Sequence, residues 1–251
     1  MRRLILLMAT MAAAMVAASG VAYALTFTCD STTDPDPDPG ECRGTPDDDQ
    51  ITGTAQADII SALNGHDFVQ AGAGDDELNG GILGDFLAGE AGNDTYFAGR
   101  GPDQLRELES STPGVSGNDV MNAGAGPDFL EGGQGADILR GQEGDELFAG
   151  APFDVALFGN SGNDQLFGGS GEDGLQGEQG RDVMNGGLDD DFIDAAVAET
   201  VDTPDRVDGG AGFDICRVNE NDTVANCEDT QTEPNPTAAT AASSKGDTTN
   251  R

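Results

Sequence analysis

Aspartates at a nine-residue spacing are the residues of this sequence best suited to chemistry. Residues 159–185 read GNSGNDQLF, GGSGEDGLQ and GEQGRDVMN, with Gly, Gly, Asp and an apolar residue at positions one, four, six and eight. The carboxylate of position six is a hard oxygen ligand, of the kind that calcium collects in shells of about six to eight oxygens. The aspartates that recur at position six are therefore candidate calcium ligands.

Position six is aspartate through most of the chain, beginning at Asp49. Near the middle, Glu146 and Val155 replace it, and we expect that part of one calcium row to be weak or empty. The predicted metal ligands are Asp58, Asp67, Asp76, Asp85, Asp94, Asp103, Asp119, Asp128, Asp137, Asp164, Asp173, Asp182, Asp191, Asp205 and Asp214.

Position eight is never charged, and its residues are the predicted core. In a strand, side chains alternate between the two faces, so each short strand can direct one apolar side chain inward. Glycines at position four suit a sharp turn, because glycine adopts backbone angles that strain other residues. The predicted core residues are Ile51, Ile60, Val69, Leu78, Leu87, Tyr96, Leu105, Met121, Leu130, Leu139, Phe148, Leu157, Leu166, Leu175, Met184, Ile193, Val207 and Cys216.

This nonapeptide resembles the RTX, or hemolysin-type, calcium-binding repeat family over residues 44–217, about two thirds of the chain. The resemblance implies an all-β fold, a right-handed parallel β-roll (a β-helix solenoid). Six residues of each repeat would form a turn that holds calcium, and three a strand. It also implies that turns two motifs apart share an ion, so Asp76 should stack beside Asp94 and Asp164 beside Asp182.

Composition favours folding that depends on calcium. The formal net charge is −36, and a compact chain without cations would force carboxylates together. A disordered Gly/Asp-rich tract is the alternative, although composition alone does not impose a nine-residue register. Only 11 residues are Lys or Arg, which argues against nucleic acid as a partner.

The N-terminus has the features of a secretory signal peptide. Arg2 and Arg3 precede an apolar run, and 22–24 read Ala-Tyr-Ala, a small-x-small cleavage site. We predict cleavage after Ala24, a secreted product and no membrane span after cleavage; an uncleaved anchor is the alternative. Many family members leave by a C-terminal signal instead, so this leader argues against a pore-forming toxin.

Four cysteines in an exported chain allow three disulfide pairings. Proximity favours Cys29 with Cys42 and Cys216 with Cys227. Such bridges would close the two ends of a solenoid, where apolar side chains and strand edges are otherwise exposed.

The chain divides by composition and register. We predict a signal peptide (1–24), a Cys/Pro-rich cap and linker (25–43), the β-roll (44–217), a disulfide-closed cap (218–228) and a disordered tail (229–251). The register slips at 107–113 and 195–199, which we interpret as insertions in turns.

No catalytic constellation is present in the sequence. His66 is the only histidine and falls in a turn, where we expect it to be solvated. We predict a non-enzymatic calcium-binding protein with a structural or adhesion role and an unidentified extracellular or cell-surface partner. The alternative is a secreted enzyme or toxin-related protein whose repeats support export or stability. Ice binding would need a regular threonine ladder, and we read Thr45, Thr54 and Thr95 as unrelated positions.

Overall fold

The structure is a computed structural model that describes residues 25–29, 41–107, 117–143, 157–196 and 203–233. Within these ranges all regular elements are strands. They are β1 (Leu25–Thr28), β2 (Glu41–Arg43), β3 (Asp49–Thr52), β4 (Ile59–Asn64), β5 (Phe68–Ala73), β6 (Glu77–Ile82), β7 (Phe86–Ala91), β8 (Thr95–Arg100), β9 (Gln104–Arg106), β10 (Val120–Ala125), β11 (Phe129–Glu131), β12 (Ile138–Glu143), β13 (Leu157–Ser161), β14 (Gln165–Ser170), β15 (Gly174–Gln179), β16 (Val183–Leu188), β17 (Phe192–Asp194), β18 (Arg206–Ala211), β19 (Ile215–Asn219), β20 (Thr223–Ala225) and β21 (Asp229–Glu233).

Successive strands lie on opposite sides of a coil and stack into two sheets. Odd-numbered strands form an 11-stranded sheet and even-numbered strands a 10-stranded sheet. All pairings between these strands are parallel. Asp76 and Asp94, 18 residues apart, are hydrogen-bonded neighbours on one side. Two nonapeptides therefore make one coil, and the predicted parallel β-roll is confirmed.

The core is a thin column of position-eight side chains. Leu78, Leu87 and Tyr96, for example, are 0% exposed, and every predicted core residue that the structure describes is equally buried. Phe148 lies outside the described residues. Small residues at position one, such as Ala71 and Ala98, form a second buried column beside the first.

Most strands are longer than the three residues that the resemblance implies. β5 has six residues, of which Val69 and Ala71 are buried while Phe68 and Gln70 are half-buried. The alternation of faces therefore continues past position nine into position one of the next motif. Position one can stay in the strand because its glycine or alanine leaves space in the core for the aspartate of position six.

At three places the chain needs more than 18 residues to complete a coil. Asp94 and Asp119 are neighbours across 25 residues and Asp182 and Asp205 across 23, instead of 18. These excesses of seven and five residues agree with the insertions predicted at 107–113 and 195–199, whose residues 108–113 and 197–199 lie outside the described ranges. Asp137 and Asp164 are neighbours across 27 residues, a nine-residue excess that was not predicted from the sequence.

Disulfides close both ends of the core. Cys29 is bonded to Cys42 and Cys216 to Cys227, as predicted. Cys42 and Cys216 belong to the buried core, and Cys29 and Cys227 pack against it. Each bridge therefore covers the last core side chain at its end of the roll.

The coil continues into both regions predicted as caps. β1 and β2 add a rung, meaning one coil with a strand in each sheet, before the first repeat, and β20 and β21 add a rung after the last. The predicted start of the disordered tail is therefore wrong, because 229–233 form β21 and cover the main-chain edge of β19. Residues 234–251 and the predicted signal peptide lie outside the described residues.

Candidate metal centre

Two rows of acidic side chains run along the turns. In the row preceding the even-numbered strands, each Oδ1 accepts a hydrogen bond from the main-chain N–H of the member before it, at 2.7 to 2.9 Å. Asp76 stacks beside Asp94 and Asp164 beside Asp182, as predicted. This continuous row consists of Asp58, Asp76, Asp94, Asp119, Asp137, Asp164, Asp182, Asp205 and Asp222.

The row preceding the odd-numbered strands is broken once. Leu157 pairs with Leu130 and Leu175 at position eight, so the sequence places Val155 at position six between two carboxylates. This interrupted row consists of Asp49, Asp67, Asp85, Asp103 and Asp128 before the break, and Asp173, Asp191, Asp214 and Glu228 after it.

All of the predicted ligands lie in one of these rows. Glu146 and Val155 lie outside the described residues, and the continuous row passes directly from Asp137 to Asp164. Asp222 and Glu228, which end the two rows, were not predicted. They lie where the last rung is shorter than 18 residues, so the repeat spacing could not reveal them: the separations there are 17 and 14.

The second carboxylate oxygen of the inner row members is buried without a hydrogen-bond partner. Burying such an atom unpaired costs on the order of several kcal/mol when it is charged. The rows therefore concentrate uncompensated oxygen ligands under the turns. Among the described residues, Oδ2 is buried and without a hydrogen-bond partner in Asp67, Asp76, Asp85, Asp94, Asp103, Asp119, Asp128, Asp137, Asp164, Asp182, Asp191 and Asp214.

Burial raises the pKa of these acids, and in some of them the charge of a neighbouring row member adds to the shift. Loss of solvation is the largest cause for Asp137, whose pKa rises to about 8, and the charges of Asp164 and Asp119 contribute. Burial thus disfavours the ionised form of the rows, and a cation bound between them would favour it. The pKa is raised to about 8 in Asp191, about 7 in Asp67, Asp94, Asp103 and Asp164, and about 6 in Asp76, Asp85, Asp119, Asp128 and Asp182.

The first carboxylate of each row differs from the inner ones. Thr45 donates its main-chain N–H to Asp49 Oδ2 at 2.6 Å, and Thr54 does the same for Asp58 Oδ2. Both threonine hydroxyls also donate to these carboxylates. The expectation that Thr45 and Thr54 are at unrelated positions is therefore wrong, because both supply protein donors at the start of the rows.

Oxygen atoms pack directly against the position-one glycines. A Cβ on Gly80 would lie 2.6 Å from Asp85 Oδ2 and 2.7 Å from the Ala98 carbonyl oxygen. A Cβ on Gly159 would likewise meet Asp164 Oδ2 at 2.6 Å. Carboxylate and carbonyl oxygens are the ligands that calcium prefers, whereas zinc and copper favour nitrogen and sulfur. The residues present thus fit calcium.

A further ladder of hydrogen bonds, exposed to solvent, links the position-five residues of neighbouring turns. The main-chain N–H of His66 donates to Asp48 Oδ1 at 2.8 Å, and that of Asn93 to Asp75 Oδ1 at 2.9 Å. His66 is exposed, as expected, and its Nδ1 lies 2.9 Å from the Gly84 carbonyl oxygen. The ladder ties the outer surfaces of neighbouring turns together.

Parallel sheets bordered by two rows of buried carboxylates define a β-roll with metal-compatible turns. The family model of the RTX calcium-binding nonapeptide repeat (4 copies) matches residues 43–78, 52–87, 70–105, 113–145 and 158–193. These windows cover more than half of the 251 residues, and the chain therefore belongs to this family. The windows leave out 106–112 and 146–157, beside the excesses of seven and nine residues. No curated protein matches the chain.

Among the described residues, none forms a helix with the length and hydropathy needed to cross a bilayer.

Proposed function

We propose that this protein is a secreted, non-enzymatic calcium-binding roll that folds when it meets external calcium and then serves a structural or adhesion role outside the cell. The observation that carries the proposal is the set of buried aspartate Oδ2 atoms without hydrogen-bond partners among the described residues. Calcium held by these oxygens would supply the charge compensation that the main chain does not.

Coupling of folding to calcium follows from the thin core. Ordering the backbone costs roughly 1 to 2 kcal/mol per residue, whereas each nonapeptide buries one large apolar side chain and one small residue. Repulsion between ionised row members adds to this cost. Binding energy at the rows would then contribute directly to folding.

Secretion is supported by the two disulfides and by the leader-like sequence before residue 25. Disulfides persist in oxidising compartments, where extracellular modules commonly bind calcium at about 0.1 to 1 mM. A non-enzymatic role is supported by the assignment of the predicted acidic residues to the rows rather than to a cleft.

Far-ultraviolet circular dichroism of the disulfide-intact protein, titrated with calcium after chelator treatment, tests the proposal. We expect a cooperative gain of β structure at about 0.1 to 1 mM calcium and a much weaker response to magnesium, which requires a tighter octahedral shell. A full β spectrum in excess chelator would reject the coupling. Capture of partners from the native extracellular fraction, with and without chelator, would test the interaction role separately.

A further inference from the structure

One rung of the roll carries a glutamate where its neighbours carry glycine. Arg106 pairs with Ala88 and with Glu131, so the residues that follow them, Gly89, Glu107 and Gly132, occupy equivalent inward positions. Glu107 is 7% exposed, and its main-chain N–H donates to the Glu131 carbonyl oxygen at 3.1 Å. Its side chain therefore points into the core.

Tyr96 orients this glutamate. Its ring is 0% exposed, and its hydroxyl accepts a hydrogen bond from the Gly89 N–H at 2.8 Å. The same hydroxyl donates to Glu107 Oε1 at 3.1 Å. Oε2 of Glu107 is buried and, among the described residues, has no hydrogen-bond partner. One oxygen of Glu107 is thus fixed by Tyr96 and the other is uncompensated.

The glutamate faces two consecutive members of the continuous row. Asp94 donates its main-chain N–H to Asp119 Oδ1 at 2.7 Å, and both residues are 1% exposed. One carboxylate oxygen from each of Asp94, Glu107 and Asp119 lies within 4.8 Å of the other two. Burial and the charges of Asp119 and Asp94 raise the pKa of Glu107 to about 9.

The two ion pairs found among the described residues, Arg106 with Glu131 and Arg217 with Asp194, do not include Asp94, Glu107 or Asp119.

We propose that Asp94, Glu107 and Asp119 form a three-carboxylate cation site, distinct from the two-carboxylate intervals of the rows and tighter than they are. The proposal rests on the proposed function, because two of its ligands are row members. Affinity for calcium rises with the number of charged ligands, and all three donors are hard oxygens. The site therefore selects calcium or, with its formal charge matched, a trivalent lanthanide.

Terbium luminescence offers a test, because tyrosine can sensitise a terbium ion bound close to it. The sequence contains two tyrosines and no tryptophan, so a full chain carrying Tyr23→Phe has Tyr96 as its sole sensitiser. In this background, excitation of tyrosine should give emission that approaches its plateau with the first equivalents of terbium, and calcium should displace it. Glu107→Gln should raise the terbium concentration for half-maximal emission by about tenfold, as expected for the loss of one charged ligand. Glu77→Gln, on an exposed strand residue, is the matched control and should change nothing.

The outcomes separate this inference from the proposed function. If Glu107→Gln titrates like its parent while calcium still induces β structure, Glu107 serves only as the hydrogen-bond partner of Tyr96 and the inference fails alone. If neither calcium nor terbium binds the parent chain, the proposed function fails as well. If Glu107→Gln does not fold in calcium, the terbium titration of the parent decides the question. Parent emission that rises in proportion to the total number of terbium ions bound, instead of reaching its plateau with the first equivalents, would overturn the inference.

Discussion

The two carboxylate rows share a repeat, a burial depth and a hydrogen-bond pattern, yet only one of them is continuous. The continuous row joins Asp137 directly to Asp164, whereas the interrupted row has Val155 in sequence between Asp128 and Asp173. A shared cation needs a carboxylate on both sides. The contribution of one aspartate must therefore depend on its neighbours as much as on its own burial.

The largest expected effect comes from removing a carboxylate with two row neighbours. Asp164 lies between Asp137 and Asp182, whereas Asp128 has Asp103 on one side and, by sequence register, Val155 on the other. In saturating calcium, Asp164→Ala should lower the free energy of unfolding by about 3 to 5 kcal/mol, by analogy with broken buried ion pairs. Asp128→Ala should cost roughly half as much, because it abolishes one shared interval. Urea unfolding in calcium measures both.

The same two variants should behave differently in chelator. Without calcium, either substitution removes a repulsive charge, so neither should lower the residual β structure. If the two variants lost equal free energy of unfolding in calcium, the continuity of the row would be irrelevant. If they lost as much structure in chelator as in calcium, the aspartates would act through packing alone.

Acidification should affect the two rows alike, because burial sets their pKa values. The folded pKa is about 8 for Asp137 in the continuous row and for Asp191 in the interrupted row, against about 3.9 for an exposed aspartate. A raised folded pKa gives stability that is present below about pH 4 and lost as the pH rises towards 8. In chelator, the roll should therefore gain β structure as the pH falls from about 8 to 4. Circular dichroism measures this, and further loss of structure on acidification would contradict it.

Calcium affinity should follow the opposite trend, because protons compete with the ion for the same oxygens. The calcium midpoint should rise as the pH falls below about 7, in the range of the row pKa values. A midpoint independent of pH between about 5 and 8 would indicate ligands other than these carboxylates.

Repair of the interrupted row is a smaller, more selective change. Val155→Asp restores a carboxylate at position six and with it two intervals between neighbouring carboxylates. The number of calcium ions bound, measured by titration calorimetry, should rise by up to two. Glu146→Asp is the control, because the continuous row passes from Asp137 to Asp164 without it. Added capacity in the control, or none in Val155→Asp, would mean that the register around β13 is assigned incorrectly.

Features that depend on local spacing could be predicted from the sequence. Position eight gave the core, and position six gave the ligand rows, because each residue type recurs at a fixed place in a coil. The disulfides followed from proximity, since Cys216 and Cys227 are separated by only 11 residues. The insertions of seven and five residues were visible because they shift the nine-residue phase.

Other features could not be predicted from the sequence, because they either preserve the nine-residue spacing or lie where that spacing is lost. A nine-residue excess between Asp137 and Asp164 preserves every motif position and changes only which sheet the next strand joins. Asp222 and Glu228 end the rows in a shortened rung. Glu107 stands at the first residue of a predicted insertion, and the pairing of β9 with β7 and β11 places it in the core.

The smallest expected effect is from a deletion that removes the hidden excess. Deleting residues 144–152 joins Glu143 to Phe153, reduces the separation of Asp137 and Asp164 from 27 to 18, and keeps Leu157 at position eight. Because halving a loop changes closure entropy by only about 0.6 kcal/mol, unfolding free energy in calcium should change by less than about 1 kcal/mol.

An equally long deletion elsewhere provides the contrast. Deleting residues 159–167 also removes nine residues, but it takes out Asp164 and three residues from each of β13 and β14, and shifts every later strand to the opposite sheet. Members of the continuous row would then have to follow members of the interrupted row, so this variant should lose the cooperative calcium transition. Circular dichroism titration compares the two. If both deletions abolish the transition, then residues 144–152 are not surplus to the coil, and the continuous row must depend on them for its passage from Asp137 to Asp164.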